Sequence, residues 1–324
     1  MRIKVFLLLV VVGFQSMVAQ QSKEKFVIEQ EYLKYLPKDY DVNPEKKWPL
    51  LIFLHGSGER GTDINKIKVH GPPMLVEQGK EFPFIIISPQ AKTGWNDNAL
   101  YQLIRDFIAK NERVDTERVY LTGLSMGGYG TWSLAQEHPE MFAAIVPICG
   151  GGDPKDIWKL RHTPIWCFHG KLDGVVPITA SETMVNALKP INPNVKFTVY
   201  PETYHDSWIQ AYNDPKLYEW LLKQKKFKHE AVDVSEEILK QYVGEYDGIM
   251  GNPAATIVSI EEGKLRLNTG GERNITLVPS SDDTFFIQEN MPVEFKFQKN
   301  EKGKVDKILL YANERIVIPK KMKQ

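Results

Sequence analysis

Cysteine is scarce in this 324-residue chain, which has only Cys149 and Cys167. Neither lies near the end of the apolar N-terminal stretch, so lipid attachment there is not expected. The two fall on what should be neighbouring strands, where an oxidising compartment would permit a bridge; they are read as two buried free thiols. An excess of either charge is also missing: 41 Lys and Arg stand against 41 Asp and Glu. No basic field is therefore available to attract nucleic acid or an anionic membrane. The apolar stretch Val5 to Phe14 is too short to span a bilayer. With Arg2 and Lys4 before it and S-M-V-A after it, it reads as a secretory signal peptide over residues 1–19. The protein is then expected to be exported, with no membrane span in the mature chain and a charge of about minus two once Arg2 and Lys4 leave. No cofactor or metal site is assigned.

What is present is chemistry of another kind. G-L-S-M-G runs from Gly123 to Gly127, directly after the apolar Val119 to Leu121 and directly before the helix-like Tyr129 to Gln136. A serine hydroxyl is a poor nucleophile unless it is exposed and has a base beside it, and a strand-turn-helix elbow does the exposing. Ser125 is thus the candidate nucleophile. Gly123 and Gly127 permit the crowded turn, and the Met126 N–H, opening the next helix, can face a developing oxyanion.

A triad on this pattern continues in the order acid, then histidine, each on a loop after a later strand. P-I-W-C-F at Pro164 to Phe168 reads as a buried strand, and H-G-K-L-D-G-V-V-P places Asp173 on the loop after it. V-K-F-T-V-Y at Val195 to Tyr200 reads as another, and P-E-T-Y-H-D-S-W places His205 on the next loop. His205 is the candidate base and Asp173 its orienting acid. Asp153, in G-G-G-D-P after the strand Ala143 to Ile148, is the rival acid. His55 and His169 precede glycines at strand ends, where an imidazole braces a loop, and Asp206 is read as a cap for the following helix.

The second oxyanion donor is sought in the loop after Pro49 to Leu54, H-G-S-G-E-R-G, where glycine lets backbone N–H groups approach a substrate carbonyl. Ser57 N–H is the first choice and Gly58 the second; Glu59 and Arg60 are read as an ion pair bracing the loop.

Strand-like runs at Phe26 to Tyr32, Leu50 to Leu54, Phe84 to Ser88, Val119 to Leu121, Ala143 to Ile148, Ile165 to Phe168 and Phe197 to Tyr200 alternate with helices. The helices are placed at Ala99 to Asn111, Gly128 to Glu137, Thr179 to Lys189 and Asp214 to Lys225. This alternation predicts an α/β fold with a mostly parallel sheet and helices on both faces. Only Gly150 to Pro164 stands where lipases of this fold insert a lid, so an open site is expected. Residues 229–235 read as a linker. From 236 to 324, short alternating runs at Thr256 to Ile260, Lys264 to Asn268, Ile275 to Val278, Thr284 to Ile287, Val293 to Gln298 and Val305 to Ala312 predict a small antiparallel β domain. Phe285, Phe286, Phe295 and Phe297 are assigned mainly to its core.

L-I-F-L-H-G-S-G-E-R-G, S-P-Q with G-W-N-D, G-L-S-M-G-G-Y-G-T-W, H-G-K-L-D-G-V-V-P and Y-H-D-S-W occur in this order over residues 26–228. Together they resemble the secreted α/β-hydrolase esterases, of the polyhydroxybutyrate-depolymerase-like and feruloyl- or acetylxylan-esterase-like groups, often labelled predicted peptidases. The resemblance implies an α/β-hydrolase fold and a serine carboxylesterase acting on a polymer- or glycan-linked ester, with Trp95 and Trp208 flanking its pocket. A serine peptidase of the same fold and a non-catalytic binding protein are the alternatives. Y-V-G-E-Y-D at Tyr242 to Asp247 is similar to the opening of a β module appended to bacterial serine hydrolases. Oligomeric state is left open.

Overall fold

The structure is a computed structural model describing residues 30–249, 254–271, 274–287, 293–312 and 314–321. The leader and residues 26–29 lie outside them. The hydrolase part runs β1 (Tyr32–Tyr35), β2 (Trp48–Leu54), α1 (Gly71–Glu77), β3 (Ile85–Pro89), α2 (Asp97–Lys110), β4 (Val114–Leu124), α3 (Met126–Glu137), β5 (Ala144–Ile148), β6 (Ile165–Gly170), α4 (Thr179–Leu188), β7 (Val195–Tyr200), α5 (Trp208–Asn213) and α6 (Pro215–Lys223). Its seven strands are ordered β1-β3-β2-β4-β5-β6-β7, all parallel except β1, which pairs antiparallel at the edge. This is the α/β-hydrolase fold.

Burial on both faces explains the unbroken apolar run of β2. Leu50, Ile52 and Leu54 pack with Leu100, Ile104, Trp132 and Val185 on one side, while Leu51 and Phe53 pack with Leu75, Tyr212 and Leu217 on the other. Two sequence expectations change here. The first strand is Tyr32–Tyr35 rather than Phe26 to Tyr32, and β4 begins at Val114 rather than Val119. The start of β4 carries Asp115 and Arg118, paired at 2.6 Å, so polar residues mask it from an apolar-run reading. Helix α1 was also missed, because Gly-Pro-Pro opens it; prolines are tolerated in a first turn.

After α7 (Glu236–Lys240) come β8 (Gly244–Tyr246), β9 (Thr256–Glu261), β10 (Lys264–Asn268), β11 (Ile275–Pro279), β12 (Thr284–Phe286), β13 (Glu294–Lys299), β14 (Val305–Tyr311) and β15 (Arg315–Pro319). They pair antiparallel in chain order. A bridge between Tyr246 and Lys320, with Asp247 N–H on Pro319 O at 2.9 Å, brings β8 against the end of β15 and makes the sheet nearly a barrel. Strands β8 and β15 are the two that periodicity did not find. Phe285, Phe295 and Phe297 fill the barrel core, whereas Phe286 faces out onto His229, with rings 4.8 Å apart and nearly parallel. Among the described residues no helix is long and apolar enough to cross a membrane.

Candidate active site

Ser125 sits between β4 and α3 with φ 52° and ψ −116°, a left-handed conformation for a residue with a side chain. Such strain persists only where the surroundings impose it. Here Gly123 and Gly127 allow it: a Cβ on Gly127 would overlap the Leu54 carbonyl, and one on Gly123 would overlap Gly127 itself. Helix α3 thereby packs hard against the carboxyl ends of β2 and β4, and its first residue, Met126, follows Ser125 directly.

The loops after β6 and β7 bring two more side chains to this point. His205 Nε2 lies 2.9 Å from Ser125 Oγ, and His205 Nδ1 lies 2.7 Å from Asp173 Oδ2. Asp173 is itself anchored, since its Oδ1 accepts the N–H groups of Val175 and Val176, both at 2.9 Å. Burial alone would raise the pKa of this carboxyl, but the His205 hydrogen bond and the two backbone N–H groups outweigh it and hold the pKa below the usual value. Asp153 is elsewhere: its carboxylate accepts the Lys155 N–H at 2.9 Å and starts a 3-10 turn.

Sequence reading assigned His169 and His55 to bracing, and both have more specific places. His169, wholly buried, puts Nε2 2.9 Å from Val176 O and 3.3 Å from Asp173 Oδ2, locking the acid's loop from below. His55 Nε2 accepts the Ala91 N–H at 2.9 Å, which leaves the proton on Nδ1 to be donated to Gly56 O at 2.7 Å. Burial lowers the pKa of this ring and keeps it neutral. In a trans peptide the C=O and the next N–H point to opposite sides, so His55 turns the Ser57 N–H away from itself. A histidine before a glycine at the end of a central strand is the signal that could have found this.

Two expectations about neighbours do not hold. Arg60 is not paired with Glu59; it donates to Ser57 O at 2.8 Å and Thr93 O at 3.2 Å, while the Glu59 carboxylate faces His70 at 3.8 Å. The Ser57 carbonyl in a 3-10 turn and the Thr93 carbonyl in the loop after β3 give the guanidinium nearer acceptors. Asp206 does not cap α5 with its side chain; Ser207 precedes the helix, and Asp206 contributes only its carbonyl, to Ile209 N. Cys149 and Cys167 are free and buried, and burial pushes both thiols up to about 12.

A cleft of about 500 Å³ opens beside Met126 and follows α3 past Tyr129 and Ser133. Trp95 lines it, held by its Nε1 on His55 O at 3.2 Å. Trp208 stands beside the base, with its ring edge-on to His205 at 5.3 Å and 5.2 Å from His70. The far wall of the cleft is Gly151 to Lys159.

Comparison with known proteins agrees with this architecture. Residues 80–218 match the family described as Phospholipase/Carboxylesterase, and residues 228–320 match a Domain of unknown function (DUF3471). The chain is 31% identical over 137 residues to "Bifunctional acetylxylan esterase/xylanase XynS20E" of Neocallimastix patriciarum, covering 40% of this chain and 20% of that protein. It is 27% identical over 139 residues to "Poly(3-hydroxyalkanoate) depolymerase C" of Paucimonas lemoignei, covering 37% of this chain and 31% of that one. The matched region thus spans less than a third of either relative. A solved structure described as a thermostable esterase superposes with a TM-score of 0.53 at 34% identity, over 61% of this chain and 60% of that one. The region from β1 to α6 has the α/β-hydrolase fold, and its residues 80–218 are similar to the carboxylesterase family.

Proposed function

We propose that Ser125, His205 and Asp173 form a catalytic triad that hydrolyses carboxylic esters through an acyl-enzyme. His205 Nε2 takes the Ser125 proton as Oγ attacks the ester carbonyl, and returns it to the departing alcohol. Water then repeats the sequence on the acyl-enzyme. Asp173 keeps the proton on Nδ1 and stabilises the imidazolium. The N–H groups of Met126 and Ser57 receive the oxyanion, the first at a helix N-terminus and the second turned outward by His55. The observation that carries this reading is the relay from Ser125 Oγ through His205 to Asp173 at 2.9 and 2.7 Å.

The substrate we propose is an ester on a polymer or glycan, feruloyl, acetyl or hydroxyalkanoate. Its support is a cleft beside Met126 that Trp95 lines, Trp208 against His205, and relatives whose names include acetylxylan esterase and poly(3-hydroxyalkanoate) depolymerase. Export by the leader suits such a substrate. Replacing Ser125→Ala should abolish hydrolysis of p-nitrophenyl acetate while the circular dichroism stays unchanged, and a fluorophosphonate should label Ser125 alone. Retention of more than about a tenth of the activity would overturn the assignment, because losing a nucleophile costs several decades. Methyl ferulate, acetylated xylan and hydroxybutyrate oligomers, ranked by kcat/KM, then select the ester.

A further inference from the structure

Glu294 opens β13 with its carboxylate buried, yet its partners come from the hydrolase domain and the linker. Oε1 accepts Arg161 Nε at 3.1 Å, Oε2 lies 2.6 Å from His162 Nε2, and His229 Nε2 stands 3.5 Å from Oε2. The 2.6 Å contact is a charge-assisted hydrogen bond. It is too short to admit a metal ion with ligands at about 2.0–2.2 Å, so the cluster is an ion-pair lock.

Glu294 belongs to a rung of the barrel. Phe286, Glu294 and Tyr311 are directly paired across β12, β13 and β14 and so share a face. Phe286 stacks on His229, and Tyr311 lies under the Arg161 guanidinium at 4.4 Å and against Trp158 at 5.6 Å. The rung therefore grips the end of the segment between β5 and β6. The earlier part of that segment, Gly151 to Lys159, is the far wall of the cleft. Its 3-10 turn, Pro154–Leu160, is broken at Asp156, where φ is −107° and ψ 18°. With no continuous hydrogen-bond ladder, the wall depends on side-chain anchors. Ile157 and Leu160 anchor it in the hydrolase core, and Trp158, Arg161 and His162 anchor it to Tyr311 and Glu294 of the barrel.

We propose that the C-terminal barrel braces this wall, with Glu294 as its positioning residue, so that the module governs how substrates larger than a simple acetyl ester are held. The inference rests on the reading that Ser125 works at the mouth of this cleft. The barrel touches no reacting atom, so bond making is left to the hydrolase domain.

The test compares Glu294→Gln, Glu294→Asp and His162→Ala with the parent full-length chain. Amide hydrogen exchange over residues 150–164 should quicken about tenfold or more in Glu294→Gln and His162→Ala, with α3 unchanged, since local opening reports local anchoring. Glu294→Asp, which keeps the charge, should restore part of the protection. Hydrolysis of p-nitrophenyl acetate should stay within about twofold, whereas KM for the larger ester the parent hydrolyses should rise about fivefold with kcat little altered. Parent-like exchange in both variants overturns the brace. So does a parallel loss on small and large esters. A parent protein that fails to hydrolyse p-nitrophenyl acetate sinks the ester-hydrolase reading of Ser125 instead, and the exchange measurement still decides whether the wall is held by the barrel.

Discussion

At Asp173 two oxygens do different work: Oδ2 accepts the hydrogen bond from His205 Nδ1, and Oδ1 is committed to the N–H groups of Val175 and Val176. An asparagine would keep the shape but offer an amide where a carboxylate must accept, favouring the wrong imidazole tautomer. Asp173→Asn should therefore lower kcat by about four decades, by analogy with serine proteases. Asp153→Asn should cost little activity, because that carboxylate caps Lys155 and faces no imidazole. Stopped assays on both variants with one p-nitrophenyl ester decide it; the reverse ranking would move the acid one strand earlier. His205 and Asp173 were legible in the sequence because each follows a strand-like run and the chain order leaves few competitors. The tautomer of His55 was not legible, since its Nε2 partner, the Ala91 N–H, comes from the loop after another strand.

The elbow between β4 and α3 is the element on which the site depends. Helix α3 approaches so closely that a methyl group at Gly127 would collide with the Leu54 carbonyl, and the collision is with backbone, which cannot rotate away. Gly127→Ala must push the helix off β2. Overpacking of this kind costs about 1–3 kcal/mol, and a displacement of the nucleophile near 1 Å costs about 10²-fold in rate. A lowered Tm with an activity loss of that size in the folded fraction is the expected result; unchanged melting and unchanged kcat/KM would refute the close-approach argument. Glycine spacing advertised the elbow in the sequence. By contrast, the start of β4 was obscured by its ion-paired residues, β8 by its length of three residues, and β15 because Ile316, Val317 and Ile318 are consecutive apolar residues with no alternation to register.

Across the whole molecule, the junction between hydrolase and barrel has its own pH dependence. Burial would raise the pKa of Glu294, but the His162 hydrogen bond and the Arg161 charge outweigh it, bringing it from an ordinary 4.5 to about 2. A carboxylate with a depressed pKa in the folded state contributes stability that is complete above 4.5 and lost as pH falls toward 2, here on the order of 3 kcal/mol at neutral pH. Arg161, His162, His229 and Tyr311 face it. Burial lowers the pKa of His229 below 6.5, so acidification also works against the fold through that ring. Denaturant unfolding between pH 5 and pH 2.5 should show the parent losing more stability than Glu294→Gln, the difference isolating Glu294. Equal slopes would mean that the cluster is solvated and contributes nothing.

By itself the sequence determined the class of the fold, the elbow and the order of the three candidate catalytic residues. Those features depend on periodicity, glycine spacing and position after strands, all local in the chain. Only the tertiary structure decided that His55 orients the Gly56–Ser57 peptide, that Arg60 binds carbonyls rather than Glu59, and that Glu294 reaches Arg161 and His162. These are contacts between polar groups whose partners are chosen by proximity after folding, and no local pattern of residues encodes which of several acceptors a buried donor will meet.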